Sequence, residues 1–228
     1  MKLIIGNWKM NGNLDEKNFL FKDLSNTKTK NKIIMCLPFT LIGGENFGIT
    51  LGAQDVSNHE NGAYTGDISA TMLKDAGVQY VLCGHSERRL HHNETNEMVK
   101  EKATTAIKNG IIPVICVGET MEEKNAGHTI AVIKKMLSES IPENGEYIIA
   151  YEPRWAIGSG VTPTNSEIVS AVKIIFDTLP NSMPILYGGS INATNAKEIA
   201  SIPYVDGLLI GSASLKSETF LPIIKTLD

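Results

Sequence analysis

Short β-prone apolar segments recur along the whole chain. They are mostly continuous, whereas strands with one exposed face alternate apolar and polar residues. Continuous runs are typical of parallel sheets that are buried on both faces. The pattern predicts eight strands: Lys2–Ile5, Lys32–Leu37, Ile49–Ala53, Gln79–Cys83, Ile111–Val117, Glu146–Tyr151, Met183–Tyr187 and Val205–Ile210.

Longer amphipathic segments separate the predicted strands. Asn96–Asn109 presents one apolar face and stops at Gly110, a common helix terminator. Thr164 and Glu167 have the spacing of a capping box, in which each side chain accepts from the other residue's backbone N–H. The apolar stripe that follows this box consists of Ile168, Val172, Ile175, Phe176 and Leu179.

Three further helices are predicted. Thr129–Ser140 and Asn192–Ser201 show the same amphipathic pattern. Asn11–Asn31 has a weaker one, and the residues expected to line its apolar face are Leu14, Phe19, Leu20 and Leu24.

The alternation of strands and helices indicates an α/β protein. It implies βαβ units with right-handed crossovers, and eight such units in 228 residues predict a closed parallel (β/α)8 barrel of the TIM type. No linker divides the chain, so we expect one domain over residues 1–228. An open doubly wound sheet is the alternative, but the Gly-x-Gly-x-x-Gly turn expected after its first strand is missing.

Composition and charge exclude several classes of protein. A formal net charge of −4 gives no reason to expect nucleic acid or an anionic membrane as partner. No apolar run approaches the roughly 18 residues of a membrane span, and the N-terminal run is too short for a signal peptide. We therefore expect a cytoplasmic protein.

The cysteines and histidines give no metal-binding pattern. Cys36, Cys83 and Cys116 each lie in an apolar run, so we expect buried free thiols. The five histidines are scattered, and no Cys-x-x-Cys or His-x-x-x-His spacing occurs. We therefore expect no metal site.

The stretch 146–160 holds the carboxylate around which the site is expected. An apolar run ends at Glu152, and Pro153 then fixes one backbone dihedral. Gly158 and Gly160 tolerate dihedral angles that other residues avoid. We expect a strand that presents Glu152 at its tip, followed by a loop that can move as a lid.

Other strand tips add a cation and an imidazole on the same rim, where active sites of such barrels lie. Lys9 follows the first strand, and a solvated lysine is the alternative. His85 follows the fourth strand and precedes a plausible helix start, which disfavours a protonated imidazole. A neutral His85 could donate a hydrogen bond to a substrate carbonyl, and a core histidine is the alternative.

Two small-residue turns follow the seventh and eighth strands, Gly188–Ser190 and Gly211–Ser214. Barrels of this type often bind phosphate there through backbone N–H groups. A tight turn without a ligand is the alternative. Two such turns on adjacent strands, with Lys9 on the same rim, favour phosphate.

The remaining polar residues near the rim are expected to be structural. Glu119 is predicted to form a salt bridge beside the site rather than to transfer a proton. Arg88 and Arg89 are predicted to form ion pairs or a solvated face. His91 and His92 are expected in an exposed loop and receive no role.

Eight segments spread over nearly the whole chain match one known family in order. They are Asn7–Gly12, Gly52–Gln54, Gly62–Gly66, Gly84–Arg89, Cys116–Glu119, Tyr151–Gly160, Tyr187–Ser190 and Asp206–Lys216. Each segment alone is a weak signal, but together they are highly specific. Through them the chain closely resembles the triosephosphate isomerase family.

The resemblance implies interconversion of dihydroxyacetone phosphate and D-glyceraldehyde 3-phosphate without a cofactor. It assigns Glu152 as the base that shuttles the carbon-bound proton, His85 as the neutral electrophile and Lys9 as an electrostatic stabiliser, with Asn7 beside it. Glu87 matches a supporting acid near Lys9.

The resemblance also assigns substrate and subunit contacts. Gly158, Ser190, Gly211 and Ser212 match positions that hold the phosphate. Thr65 matches the tip of the loop that enters the partner subunit of the family's homodimer.

The chain departs from the family pattern at the lid. Val161-Thr162-Pro163 replaces the usual Lys-Thr-Ala, and Arg154 replaces an apolar hinge residue. Pro163 is expected to stiffen the second hinge. Ser212 stands where a second glycine is common, but its backbone N–H can still serve.

Two other functions are weighed against isomerisation. Cys83 and His85, two residues apart on one strand, should face the same side and could form a thiol nucleophile pair. Inactivation by iodoacetamide at Cys83, without protection by substrate, would favour that pair. A barrel that binds a phosphorylated metabolite without turnover would lack the base or the histidine, and both are present.

Overall fold

Eight parallel strands close into a barrel in sequence order. The computed structural model describes residues 1–157, 162–179 and 183–228. Within these ranges each strand pairs with the next, and the first pairs with the eighth. The strands are β1 (Leu3–Asn7), β2 (Lys32–Leu37), β3 (Thr50–Ala53), β4 (Tyr80–Cys83), β5 (Ile112–Val117), β6 (Ile148–Tyr151), β7 (Ile185–Gly189) and β8 (Gly207–Ile210). The predicted barrel is confirmed.

Helices cover the outside of the barrel in the described ranges. The α-helices are α1 (Leu14–Ser25), α2 (Ala70–Asp75), α3 (Ser86–His91), α4 (Asn96–Lys108), α5 (Met121–Asn125), α6 (Thr129–Ser140), α7 (Asn165–Thr178), α8 (Ala196–Ala200) and α9 (Ser217–Thr226). Short 3₁₀ turns occupy Phe39–Leu41, Arg154–Ala156 and Ser212–Ser214. None of these helices is both long and apolar enough to cross a membrane.

Each strand contributes to two buried cores because successive side chains point to opposite faces. In β4, Tyr80 and Leu82 point into the barrel, whereas Val81 and Cys83 pack against the helices. All three cysteines are buried free thiols, as predicted. Strands covered on both faces need no polar alternation, which explains their continuous apolar sequence.

Backbone pairing carries two strands beyond their apolar residues. β1 continues to Asn7, which pairs with Cys36, and β7 continues through Gly188 and Gly189, which pair with β8. The sequence prediction ended both strands too early, because it followed apolar side chains and backbone pairing needs none. The extra residues bring Asn7 and the glycines to the rim as part of the sheet.

The helix predictions differ in accuracy. Thr129–Ser140 is helical with the predicted bounds, and the capping box at Thr164 and Glu167 is present. Of Asn192–Ser201 only Ala196–Ala200 is helical. The Asn192 side chain accepts N–H groups from the next residues and holds a turn instead.

The predicted inner face of α1 is partly wrong. Leu14 and Phe19 are 54% and 64% exposed, while Lys17 joins Leu20 and Leu24 in the buried face. Lys17 buries its aliphatic stem and donates from Nζ to the Gly43 carbonyl at 2.7 Å. A prediction from helical periodicity counts lysine as polar, so it places the apolar stripe on the wrong face of α1.

Four charged side chains form a buried cluster between the barrel and α3. Lys102 Nζ lies 2.5 Å from Glu94 Oε1 and 2.7 Å from Asp55 Oδ1. Arg88 bonds the same two carboxylates, at 2.5 Å and 2.8 Å. The ion pairing predicted for Arg88 is therefore confirmed, and the cluster fixes α3 against β3 and α4.

The cluster makes stability depend on the charge of Glu94. Burial alone would raise the pKa of Glu94, but hydrogen bonds and charge from Lys102 and Arg88 hold it below its ordinary value. A carboxylate with a lowered pKa stabilises the fold above its unfolded pKa, and this stabilisation is lost as pH falls through the folded pKa.

We predict that Glu94→Gln lowers the free energy of unfolding by roughly 3 kcal/mol at neutral pH, because the buried Lys102 and the partly buried Arg88 lose a shared anion. The difference from the unsubstituted protein should shrink as pH falls below about 4.3, the ordinary glutamate pKa. Denaturant titrations at several pH values measure both effects. Asp177→Asn, which breaks an exposed pair with Lys173, should change little and serves as the control. A pH-independent difference would contradict the charge argument.

Candidate active site

One cavity of about 350 Å³ opens at the carboxyl ends of the strands. It collects residues from the tips of β1, β4, β6, β7 and β8, so closure of the barrel brings together positions that are far apart in sequence. The lining residues are Asn7, Lys9, Asn11, His85, Glu152, Ile157, Gly189, Ser190, Ile191, Asn192, Leu209, Gly211 and Ser212.

Glu152 lies at the end of β6 with its side chain inside the cavity. Its backbone N–H donates to the Val117 carbonyl at 2.8 Å, which continues the β5–β6 pairing. The close approach of the two strand ends depends on Gly118, because a Cβ there would fall 1.9 Å from the Glu152 carbonyl oxygen. The carboxylate is only 6% exposed. Its Oε2 accepts no hydrogen bond from the part of the chain that the structure describes.

The charge of Glu152 is stabilised by its neighbours. Burial acts to raise the pKa of this carboxyl, but the nearby His85 imidazole and the Cys116 thiol lower it, and the net pKa lies below the ordinary value. Glu152 is therefore ionised at neutral pH, with one oxygen toward His85 and the other without a partner among the described residues.

His85 sits at the N-terminus of α3 and faces Glu152. Its Nδ1 accepts the Glu87 backbone N–H at 3.2 Å, and its Nε2 lies 3.3 Å from Glu152 Oε1. An accepting Nδ1 leaves the neutral ring with its proton on Nε2, directed into the cavity. Burial is the largest influence on the pKa of His85 and lowers it, but the charge and hydrogen bonding of Glu152 and the charge of Glu87 together leave this pKa above its ordinary value. The helix N-terminus and the accepting Nδ1 oppose a second proton on the ring.

Lys9 is held in an uncommon backbone conformation beside His85. Its φ of +52° is in the left-handed region, and its N–H donates to the Asn7 side chain at 3.0 Å. Gln54 holds the Lys9 carbonyl at 2.9 Å, and Lys9 Nζ contacts Glu87 Oε1 at 2.6 Å. Strained backbone held by several contacts is typical of functional sites.

The tips of β7 and β8 form the wall of the cavity between Glu152, after β6, and Lys9, after β1. Ser190 donates its hydroxyl to the Ala156 carbonyl at 2.9 Å, which ties this wall to the segment after Glu152. Gly211 lies against Lys9, since a Cβ there would be 3.5 Å from Lys9 Cε. Backbone groups and small side chains thus line the cavity beside the lysine.

The remaining predicted site residues lie elsewhere. Glu87 is 44% exposed and contacts Lys9 from a neighbouring cavity of about 320 Å³. Thr65 is on an exposed loop away from both cavities. Gly158 and the rest of the predicted lid up to Val161 lie outside the described residues.

The salt bridge predicted for Glu119 is wrong. Glu119 is buried, and no cation lies within salt-bridge distance of it in the described ranges. Its carboxylate instead accepts from the Tyr151 hydroxyl at 3.3 Å and from the Trp155 indole at 2.9 Å. Lys124 lies 3.4 Å above the Trp155 ring, so the cation contacts the indole rather than the acid.

The same-side arrangement predicted for Cys83 and His85 is also wrong. Cys83 packs in the outer core, where burial raises the pKa of its thiol, whereas His85 lines the cavity. Gly84 causes this separation, because its φ of +68° ends the alternation of the strand. A thiolate–imidazole pair is therefore not assembled.

Four residues that contact the site were not singled out from the sequence. Gln54 holds the Lys9 carbonyl, Cys116 lies against Glu152, and Gly188 makes room for Glu152. The Tyr187 hydroxyl is buried and has no partner among the described residues. Gln54, Cys116 and Tyr187 lie in segments that match the family but received no role from the sequence, whereas Gly188 belongs to the predicted Gly-Gly-Ser turn.

Comparisons with known proteins give a consistent answer. The family model of triosephosphate isomerase matches residues 2–227. The triosephosphate isomerase of Paracidovorax citrulli is 44% identical over 243 aligned positions, covering 98% of this chain and 97% of that protein. That of Hyphomonas neptunium is 43% identical, with the same coverage. The crystal structure of triosephosphate isomerase from Bartonella henselae superposes with a TM-score of 0.87 at 37% identity, covering 99% and 98% of the two chains.

The chain belongs to the triosephosphate isomerase family. It is an isomerase that interconverts dihydroxyacetone phosphate and glyceraldehyde 3-phosphate. The reaction moves a proton between two adjacent carbons of a phosphorylated three-carbon sugar, and the cavity must therefore hold a base, a group that polarises a carbonyl and a phosphate site.

We predict that Gly188→Ala lowers the isomerase turnover number about 10- to 100-fold, because the added Cβ would lie 2.8 Å from Glu152 Cγ and displace the carboxylate. Steady-state kinetics and thermal unfolding measure the effect. Stability should change little, since the clash is with a side-chain atom. Gly118→Ala, which clashes with backbone, should lower both activity and stability. Full activity of Gly188→Ala would contradict this prediction, because it would show that turnover does not depend on the exact position of the Glu152 carboxylate.

Proposed function

We propose that Glu152 is the base of the isomerase reaction. The observation that carries this proposal is the pair formed by Glu152 Oε1 and His85 Nε2, 3.3 Å apart on one wall of the rim cavity. Glu152 removes the proton from the carbon next to the substrate carbonyl and returns it to the neighbouring carbon. Its Oε2 accepts no hydrogen bond from the described residues, which supports this role because a base needs an oxygen that is not already bonded.

His85 and Lys9 stabilise the negative charge that develops on the substrate oxygens. The Nε2–H of a neutral His85 donates to the carbonyl oxygen as the enediolate forms, and Nδ1 stays an acceptor for the α3 backbone. The Lys9 ammonium, held by Glu87 and positioned by Asn7, adds a positive charge nearby. Fixed donors of this kind act most strongly in a site with little water.

The turns after β7 and β8 bind the substrate phosphate. Ser190, Gly211 and Ser212 line the cavity on the side facing Lys9, where small residues allow close approach to the anion. Family resemblance assigns Gly158 to the same group. Binding of the phosphate, which takes no part in bond changes, helps orient the reacting carbons.

The chain forms a homodimer in the cytoplasm. The loop from Gly62 to Gly66 is exposed, its two glycines have positive φ angles, and Tyr64 stacks on His59 at 3.7 Å so that the loop is ordered. Met10, next to Lys9, is 95% exposed and borders the second cavity. In the proposed dimer Thr65 of the partner subunit covers this cavity and supports Lys9.

We predict that Glu152→Gln lowers turnover by roughly 10³-fold, because the amide cannot accept the carbon-bound proton. A coupled assay on both triose phosphates measures turnover, and calorimetry with glycerol 3-phosphate measures binding. Binding of this unreactive analogue should stay close to that of the unsubstituted enzyme, since the phosphate contacts are separate. Unchanged turnover would refute Glu152 as the base.

We predict that light scattering gives about twice the chain mass of 24.8 kDa and that Thr65→Arg shifts it toward one chain. Activity should fall with dimer loss, because Lys9 loses its cover. Thr178→Arg, on the exposed end of α7, is the matched control and should remain dimeric. A single-chain mass for the unsubstituted protein at assay concentrations would contradict the proposed dimer.

A further inference from the structure

Arg89 makes an unusual set of contacts behind the active site. Its three guanidinium nitrogens donate to three acceptors on different elements. Nε donates to the Gly84 carbonyl at 2.7 Å, Nη1 to the Asn96 side chain at 2.6 Å and Nη2 to the Cys116 carbonyl at 3.2 Å. No carboxylate forms a salt bridge with Arg89 in the part of the chain that the structure describes, so the ion pair predicted for it is absent there.

These contacts begin where the β4–β5 ladder stops. The last paired residues of the two strands are Cys83 and Ile115. The next carbonyls on each strand, those of Gly84 and Cys116, are the two that Arg89 bonds. The guanidinium therefore extends the connection between β4 and β5 by one residue, with side-chain donors in place of backbone N–H groups.

The two bonded carbonyls adjoin the proposed catalytic pair. Gly84 directly precedes His85 in the chain, and Cys116 directly precedes Val117, whose carbonyl accepts the Glu152 backbone N–H at 2.8 Å. The guanidinium fork of Arg89, which fixes Gly84 relative to Cys116, holds His85 relative to β5, and the bond from Glu152 to Val117 holds Glu152 to the same strand. The His85 and Glu152 side chains positioned in this way lie 3.3 Å apart. Gly84 fits the guanidinium closely, because a Cβ there would lie 2.8 Å from Arg89 Nη2.

We propose that Arg89 is a positioning residue that sets the separation of His85 and Glu152 by tying the end of β4 to the end of β5. This inference rests on the catalytic roles proposed above for those two residues. Lysine cannot replace the fork, because a single ammonium cannot reach three acceptors in a fixed plane.

The first test compares Arg89→Lys and Arg89→Ala with the unsubstituted enzyme. We expect turnover to fall about 100-fold, as for a displacement of catalytic groups by about 1 Å, while KM changes little because the phosphate contacts lie on β7 and β8. Asn96→Ala removes one anchor of the fork and should show a smaller loss. Glu139→Ala removes only the partner of the Asn96 amide and is the control with near-normal turnover.

The second test is chemical rescue. Guanidinium ion, at concentrations well below those that unfold the protein, should restore part of the turnover of Arg89→Ala, and urea at the same concentration should not. A merely structural defect would not respond to the cation. Leu24→Ala, in the remote helix α1, is the stability control. Its thermal unfolding and its turnover, measured together, show how much activity is lost through destabilisation alone.

The outcomes separate this inference from the proposed function. Normal turnover of Arg89→Lys, a rise in KM alone, or a loss no larger than that of an equally destabilised Leu24→Ala overturns the positioning role. Glu152→Gln is assayed in parallel. If it is inactive while Arg89→Lys is normal, only the present inference fails; if it is active, the proposed catalytic pair fails first.

Discussion

Closure of the parallel sheet is the constraint on which the rest of the structure depends. The last strand must pair with the first, and the join at β8 leaves no room for a side chain, since a Cβ on Gly207 would lie 2.1 Å from the Leu3 carbonyl oxygen. Once the sheet closes, all eight carboxyl ends share one rim. Residues as distant in sequence as Asn7, Glu152 and Ser212 then line one cavity.

At the rim, side-chain donors replace the backbone pairing of the sheet. Beyond the last ladder residues, backbone carbonyls still need donors, and several side chains supply them. Gln54 bonds the Lys9 carbonyl, Trp8 bonds that of Ser214, and Arg89 bonds two carbonyls behind the site. These bonds tie the rim loops to the strand ends and hold an outlying backbone angle at Lys9.

Charges near the rim form two groups. In the first, Glu87 contacts Lys9 and lies 3.6 Å from His85, which faces Glu152 on its other side. The second is the cluster of Asp55, Arg88, Glu94 and Lys102, which joins α3 to α4. Glu119 is bonded by a hydroxyl and an indole rather than by a cation. Neutral donors thus satisfy this second buried acid, whereas Glu152 faces the His85 imidazole.

The sequence by itself determined the barrel, the order of its strands and the tips that carry Glu152, His85, Lys9 and the two small-residue turns, because apolar runs and turn residues are local signals. Local signals did not reveal that Lys17 is buried, that Cys83 and His85 face apart, or that Gln54, Cys116 and Arg89 support the site. Those facts depend on which backbone groups remain unpaired after the sheet has closed and on which donors reach them. Only the tertiary structure decides that, because the acceptors and their donors come from different strands.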